Sequence, residues 1–329
     1  MPSPDFRLPA EWERHSALLL AWPPADGDWA DVLDAIRDEY RRLIEAVLAF
    51  ENVVLLVPPG DTSSHRMLGE PTGLERIEAR YNDTWCRDYG PITLTNAGRR
   101  MALDFHFNGW GGKFDARLDN YVNTQLSRHP LFSGFVFRQS LFELEGGAID
   151  CDGRGTLLIN RHCFRTRMPH LEDGEVDHEL KTWLNIDHLI EIDCEPLPGD
   201  DTDGHIDTLA RFVSPTKIAF QSFRDRERTQ ALLGQLEALR DQDGRPYELQ
   251  ALPAPTDLPA GVPASYANFV ILNGAVLVPA FGSKHDEQAA QVLAELFTDR
   301  KVVAVDSRTL VTQGGGPHCA SMQIPSKLE

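Results

Sequence analysis

The chain has 329 residues, of which 42% are hydrophobic and 9% aromatic, which is enough to bury a sizeable core. Its formal net charge of −18 argues against binding to nucleic acid or to an anionic membrane, because contacts with phosphate need clustered Lys and Arg. No stretch approaches the ~18 consecutive apolar residues of a membrane span, and the start of the chain lacks the basic and apolar segments of a signal peptide.

The first predicted unit consists of a strand at 17–22, a helix at 28–50 and a strand at 52–57. Four further units repeat the order strand, strand, helix, strand with a period of ~60 residues. Their hairpin strands are predicted at 92–95 and 101–107, 148–151 and 156–159, 208–213 and 217–220, and 269–272 and 275–278. Their helices and return strands are predicted at 118–128 and 135–137, 175–184 and 189–192, 226–239 and 247–252, and 287–297 and 302–305.

The first unit lacks one leading strand, and the segment after Cys319 is an unpaired extra strand. Pairing the two would close a ring of five units without an exposed edge, which predicts a five-bladed, pseudo-symmetric α/β propeller. The Pro-rich stretch 253–263 is interpreted as a surface loop, so residues 1–329 are expected to form a single catalytic domain. The first strand of each unit would then lie near the central axis.

Residues at the starts of these inner strands would converge although they are far apart in sequence. They are Asp88, Glu145, His205 and Cys319. Cys319 follows three glycines, which allow a close approach of backbone to a ligand; it is a candidate nucleophile or a small buried hydrophobe. His205 and Asp207 are predicted to share one face of a strand.

A thiol, an imidazole and three carboxylates form an unusual set unless a cation binds between them. A planar guanidinium fits, because its N–H groups match carboxylates and its central carbon is open to thiolate attack. Simpler interpretations remain open: Asp88 could cap a turn, and Glu145 could be a solvated strand end.

Metal binding is the main alternative for the histidines and cysteines. Asp201, Asp203, His205 and Asp207 could hold a divalent metal on one strand face, but no second His cluster with ligand spacing supports this. A zinc site of Cys151, His162 and Cys163 is a weaker alternative to buried core cysteines. We therefore predict no metal and no cofactor.

Two further expectations follow from single residue types. His318 is expected on the strand face opposite Cys319, which makes it a poor candidate base. Five widely spaced cysteines predict reduced thiols and a cytoplasmic location. The acidic charge suits a small cationic partner, and the chain is also a candidate homo-oligomer.

Five ordered motifs resemble the agmatine deiminase family, which includes bacterial peptidylarginine-deiminase-type enzymes. They are Trp85-x-Arg87-Asp88-x-Gly90-Pro91, Phe107-Asn108-x-Trp110-Gly111-Gly112-Lys113, Glu145-Gly146-Gly147, Asp203-Gly204-His205-Ile206-Asp207 and Gly314-Gly315-Gly316-x-His318-Cys319. The resemblance covers nearly the whole chain and implies the pentein fold of the guanidino-group-modifying superfamily.

The resemblance also implies a role for each matching residue. Cys319 matches the nucleophile and His205 the general acid/base. Carboxylates that hold the guanidino group match Asp88, Asp207 and Glu145. Substrate-binding positions match Trp85, Trp110 and Gly316.

The function implied is hydrolysis of agmatine to N-carbamoylputrescine and ammonia, a step of polyamine synthesis, through a covalent amidino-thioether on Cys319. The alternatives are a deiminase of peptidylarginine or of another guanidino compound, an amidinotransferase, and a non-catalytic pentein binding protein. Pro317 and the short stretch 113–116 depart from the family pattern. Both lie where the resemblance implies contact with the end of the substrate that is farthest from the guanidino group.

Overall fold

The computed structural model of the protein describes residues 2, 3 and 5–327. The strands in these residues are β1 (His15–Ala21), β2 (Val53–Val57), β3 (Leu74–Glu78), β4 (Ile92–Asn96), β5 (Arg99–His106), β6 (Phe135–Glu143), β7 (Ile149–Cys151), β8 (Thr156–Asn160), β9 (His188–Ile192), β10 (Ala210–Ser214), β11 (Lys217–Gln221), β12 (Glu248–Leu252), β13 (Val270–Ile271), β14 (Ala275–Ala280), β15 (Lys301–Asp306) and β16 (Ser321–Pro325). The helices are α1 (Leu33–Leu48), α2 (Ser63–Leu68), α3 (Cys86–Tyr89), α4 (Gly109–Gly112), α5 (Val122–Leu126), α6 (Arg161–Arg167), α7 (Asp173–Leu184), α8 (Arg226–Ala238) and α9 (Asp286–Leu296). Short 3-10 turns lie at Ala30–Val32, Asp119–Tyr121, Pro130–Phe132, Gly146–Ala148, Ile206–Thr208 and Leu310–Gln313.

The strands of the described residues form five small sheets, as the repeat predicts. Four have three strands each, in the orders β4-β5-β6, β7-β8-β9, β10-β11-β12 and β13-β14-β15. In each of these sheets the first pair is antiparallel and the second pair parallel. The parallel pair needs a crossover, which the connecting helical segment provides.

The fifth sheet joins the two ends of the chain. β16 pairs antiparallel with β1, with Met322 opposite Leu19, and the sheet order is β16-β1-β2-β3. This pairing confirms the predicted closure. It also fixes the nucleophile candidate Cys319, which lies in the turn just before β16, against the N-terminal unit.

Several elements differ from the sequence prediction, which also did not include the short helices α2, α3 and α4. β3 was not predicted, because its sequence LERIE is mostly polar and only Ile77 is buried. The helix predicted at 118–128 is a 3-10 turn followed by the short α5. α6 was also not predicted, and it is the element that carries Arg167 towards the centre of the molecule.

The inner ends of the sheets are closed by short turns rather than by long loops. α3 contacts both the turn Gly146–Ala148 and β16, and the turn Gly146–Ala148 contacts the turn Ile206–Thr208. The expectation that His205 and Asp207 lie on one strand is wrong, because His205 precedes this last turn and Asp207 lies within it. His205 and Asp207 nevertheless lie at the same end of the sheet β10-β11-β12, because both belong to the short segment that leads into β10.

Candidate active site

Each of the five sheets contributes a polar residue from the segment that leads into its innermost strand. These residues are Asp88, Glu145, the pair His205 and Asp207, Asn268, and Cys319. All are buried, and the contacts below show that they meet at one place. The predicted convergence is confirmed, and Asn268 is the one member of this set that the sequence prediction did not include.

The thiol of Cys319 is held by two neighbours. Asn268 Nδ2 lies 3.0 Å from Cys319 Sγ, and Asp207 Oδ2 lies 3.5 Å from it. Asn268 Oδ1 accepts hydrogen bonds from the backbone N–H groups of His318 and Cys319, at 3.0 and 3.2 Å. Burial, together with the charges of Asp207 and Asp88, raises the pKa of the Cys319 thiol well above its usual value. The substrate-free site therefore favours a thiol over a thiolate.

His205 is fully buried between two carboxylates. Its Nε2 lies 2.6 Å from Glu145 Oε2, and its Nδ1 lies 3.6 Å from Asp88 Oδ1. Burial would lower the pKa of His205, but the charge of Asp88 and the contacts with Cys163 and Glu145 raise it well above its ordinary value. His205 is thus positioned as a proton donor.

Asp88 is oriented by two donors. Its Oδ1 accepts from the backbone N–H of Gly147 at 2.9 Å, and its Oδ2 accepts from Trp110 Nε1 at 2.9 Å. Burial, with the charges of Glu145 and Asp207, raises the pKa of Asp88 to about 6. Ionising Asp88 is therefore costly while no cation is near it. A cation that enters the site would stabilise the ionised carboxylate.

Asp207 is the carboxylate closest to the thiol. Its Oδ2 accepts from His318 Nδ1 at 2.7 Å and from Asn268 Nδ2 at 3.2 Å. Its Oδ1 has no hydrogen-bond partner among the described residues. Burial would raise the pKa of Asp207, but the hydrogen bond and charge of His318 hold it below the usual value. Oδ1 is therefore a buried acceptor that no described residue satisfies.

The expectation for His318 is wrong. His318 and Cys319 lie in a turn, not on a strand, so the rule of opposite faces does not apply. The imidazole of His318 lies behind the site, between Asp207 and the N-terminal Glu11.

Glu145 is linked to the site entrance by a chain of ion pairs. Arg167 Nε lies 2.9 Å from Glu145 Oε1, and Arg167 Nη1 lies 2.8 Å from Asp203 Oδ2. Lys113 Nζ lies 2.8 Å from Asp203 Oδ1. The Arg167 side chain is only 5% exposed. Asp203 is thereby paired with two cationic side chains, which argues against the alternative of a divalent metal held by Asp201, Asp203, His205 and Asp207.

A cavity of about 270 Å³ leads to Cys319. Its lining residues are Asp28, Asp83, Trp85, Asp88, Trp110, Phe114, Asp201, Thr202, Gln313, Gly314, Gly315 and Cys319. Trp85 and Trp110, which are predicted to bind substrate, thus line a cavity that reaches Cys319. A Cβ on Gly315 would come within 2.3 Å of the Trp85 ring, so the missing side chain allows the ring to pack there.

The remaining predicted catalytic and substrate-binding residues lie outside this lining. Glu145, His205 and Asp207 are buried and are not among the residues that line the cavity. Gly316 packs on Asn268 instead, where a Cβ would approach Oδ1 to 2.6 Å. Its contribution is to the position of Asn268, and its role in substrate binding stays a prediction.

One group of residues has the chemistry of metal ligands. Among the described residues, Glu145, Cys163 and His205 offer donor atoms within 4.8 Å of one another, and the group includes neither Cys151 nor His162. The guanidinium of Arg167 lies against the same Glu145 carboxylate. A positive side chain at this distance disfavours a cation, so the residues fit a hydrogen-bonded cluster better than a metal site.

Comparison with known proteins decides the family. The family model of Porphyromonas-type peptidyl-arginine deiminases matches residues 7–325. The chain belongs to this family. A Legionella pneumophila protein assigned as an agmatine deiminase is 33% identical over 334 residues, which cover 97% of this chain and 95% of the relative.

Solved structures agree with this family and with the fold. A Cys-to-Ser variant of C. jejuni agmatine deiminase with substrate bound has a TM-score of 0.91 and 33% identity, over 98% of this chain and 97% of that chain. A Porphyromonas gingivalis protein assigned as an arginine deiminase has a TM-score of 0.89 and 40% identity, with 98% of each chain covered. The resemblance to the agmatine deiminase family, the pentein fold and the enzyme class, a hydrolase of guanidino C–N bonds, are confirmed. None of the helices in the described part of the chain is long and apolar enough to cross a membrane.

Proposed function

We propose that the chain hydrolyses agmatine to N-carbamoylputrescine and ammonia, with Cys319 as the nucleophile. The observation that carries the choice of substrate is the acidic cavity. Asp28, Asp83, Asp88 and Asp201 line it, and none of the lining residues in the described part of the chain is Lys or Arg. Agmatine has a cation at each end, whereas arginine would bring a carboxylate into this acidic cavity.

Substrate binding supplies the charge that activates the thiol. A guanidinium between Asp88 and the free Oδ1 of Asp207 offsets the negative charges that raise the pKa of Cys319. The thiol then loses its proton to solvent. The thiolate attacks the guanidinium carbon, which lies within reach if the cation binds to both carboxylates.

His205 transfers the protons of the later steps. Its imidazolium protonates the departing nitrogen, the C–N bond breaks, and ammonia leaves behind an amidino-thioether on Cys319. The neutral imidazole then takes a proton from the attacking water. The C–S bond breaks, the thiolate is restored, and the ureido product leaves. Glu145, at 2.6 Å from Nε2, holds the ring through both steps.

A second candidate is deimination of arginine or of peptidylarginine. It is favoured by the 40% identity to the P. gingivalis protein assigned as an arginine deiminase. The acidic cavity of about 270 Å³ argues against a bulky peptide or a carboxylate near the guanidino group.

Ammonia release tests these candidates directly. The purified protein is incubated with agmatine, with free arginine, or with a peptide that contains an internal arginine, and Cys319→Ala serves as the blank. We expect rapid, Cys319-dependent release from agmatine alone and without an added amine acceptor. Faster release from arginine or from the peptide would transfer the assignment to the second candidate, and retained release by Cys319→Ala would refute the nucleophile.

A further inference from the structure

His318 is a buried histidine that the mechanism above does not use. Its Nδ1 lies 2.7 Å from Asp207 Oδ2 and its Nε2 lies 2.8 Å from Glu11 Oε2. The side chain is 2% exposed. Each ring nitrogen has one carboxylate oxygen as its partner, which fixes the orientation of the ring.

The residues behind His318 form a buried cluster of ions. Arg211 Nη2 lies 2.6 Å from Glu11 Oε2, and Arg211 Nε lies 3.4 Å from Asp150 Oδ2. Arg87 Nη2 lies 4.0 Å from the same Glu11 oxygen, and Arg87 Nε donates to the His318 carbonyl at 3.2 Å. The charged groups around His318 are therefore Asp207, Glu11, Arg211, Arg87 and Asp150. Glu11 keeps a cationic partner of its own, so it does not depend on His318 alone.

We propose that His318 is a positioning residue, which holds the Asp207 carboxylate beside Cys319 and leaves its Oδ1 without a protein partner among the described residues. This rests on the proposed function, because it assigns a part in guanidinium binding to Asp207. His318 does not touch the cavity itself. It acts only through Asp207 and through its place in the chain next to the nucleophile.

The hydrogen bonds of Asp207 explain why this one contact matters. Oδ2 accepts hydrogen bonds from His318 Nδ1 and Asn268 Nδ2, while Oδ1 has no partner among the described residues. A fully buried carboxylate that loses one of its two donors turns towards another donor or takes up a proton. Either change would alter the negative charge that Asp207 places beside Cys319.

The same residue also ties the nucleophile to this carboxylate. The His318 backbone N–H donates to Asn268 Oδ1, as the Cys319 N–H does. Its carbonyl accepts from Arg87. Asn268 and Arg87 thus hold the main chain of His318 from two sides. Because these hydrogen bonds involve backbone groups of His318, a change of its side chain tests the Asp207 contact and leaves them in place.

The test compares two replacements of similar shape. His318→Asn keeps a donor near the position of Nδ1, and His318→Leu does not. Each purified full-length variant reacts with 2-chloroacetamidine, a cation, and with 2-chloroacetamide, its neutral counterpart, and peptide mapping counts the alkylation of Cys319. The ratio of the two rates measures how strongly the carboxylates favour a cation at the thiol, independently of any substrate tail. Thermal unfolding checks the fold, and His170→Leu, at an exposed histidine, is the control.

We expect the rate ratio of His318→Leu to fall about 10-fold or more below that of the wild type, and that of His318→Asn to fall much less. With agmatine as the substrate, the rise in KM and the fall in kcat should both be larger for His318→Leu than for His318→Asn. If His318→Leu does not fold, His318→Gln replaces it, because its amide reaches towards Glu11 rather than Asp207. An unchanged ratio in the variant without the donor, or equal losses in both variants, would overturn the role of His318. Failure of the proposed function would look different: the wild type would keep a high rate ratio but release no ammonia from agmatine.

Discussion

The guanidinium of Arg167 lies 2.9 Å from one oxygen of Glu145, while the other oxygen of the same carboxylate lies 2.6 Å from His205. A cation on α6 thus fixes the residue that orients the general acid/base candidate. Arg167 also pairs with Asp203, which Lys113, the residue that follows α4, contacts as well. The orientation of His205 is therefore coupled to a loop beside the cavity.

Replacing Arg167 should impair turnover, although Arg167 does not line the cavity. We expect Arg167→Gln to lower kcat roughly 10- to 100-fold, a part of the contribution that a positioned acid/base makes, with a smaller change in KM. Loss of one partner of a buried ion pair costs about 3 to 5 kcal/mol of stability, so the melting temperature should fall too. Arg165→Gln, on the same helix but 54% exposed, is the matched control. Equal kcat values for the two variants in steady-state assays would contradict this prediction.

Gly147 should tolerate no side chain. A Cβ there would lie 2.5 Å from His205 Nδ1 and 2.9 Å from Asp88 Oδ1, so Gly147→Ala is expected to displace both groups and reduce kcat/KM at least about 100-fold. Gly234→Ala is the control: it lies in α8 with nothing within 4 Å of its Cβ, and should stabilise the helix by about 1 kcal/mol. Activity near the wild-type level in Gly147→Ala would show that the site can relax around a methyl group.

The pKa of Asp88, raised by burial to about 6, predicts an acid limb in the pH profile. Above this pH the carboxylate of the free enzyme is ionised and can receive a guanidinium; below it the carboxyl group is neutral. We expect kcat/KM for agmatine to fall about tenfold per pH unit below pH 6. Bound guanidinium favours the ionised form, so the limb in kcat should lie at lower pH. A flat kcat/KM profile between pH 5 and pH 7 would argue against this assignment.

The acidic cavity should bind the terminal ammonium group of agmatine. Asp28 is exposed and lines the cavity, so Asp28→Asn is expected to raise KM for agmatine roughly 3- to 5-fold, the range of an exposed charge interaction. Butylguanidine has the same guanidino group but no terminal ammonium, and its KM should not change. Asp26→Asn, an exposed neighbour outside the lining, controls for the general loss of negative charge. An equal increase in KM for both substrates would mean that Asp28 does not contact the tail.

Most of the fold could be predicted because its signals are local. Hairpin turns such as Asp152-Gly153 and Asn273-Gly274, and the alternation of strands and helices, appear in neighbouring residues. β3 and α6 escaped prediction because their sequences are polar and short, and their structure depends on the neighbours they pack against.

The candidate site was predictable where a motif marked it. The rule that the start of each inner strand supplies a site residue gave Asp88, Glu145, His205 and Cys319. Applied to the fifth unit, the same rule leads to Asn268, directly before Phe269 and β13. Asn268 was missed because an asparagine before a strand resembles an ordinary turn residue.

The sequence by itself determined the five repeats, the closure of the ring by its two ends, and the chemical identity of the site, because turn types, apolar periodicity and motifs are written in consecutive residues. Only the tertiary structure decided which side chains support that chemistry. Arg167 reaches Glu145 from a helix, and His318 meets Asp207 and Glu11 across 111 and 307 positions of the chain. Such contacts depend on how the blades pack around the axis, and spacing along the chain carries no information about that packing.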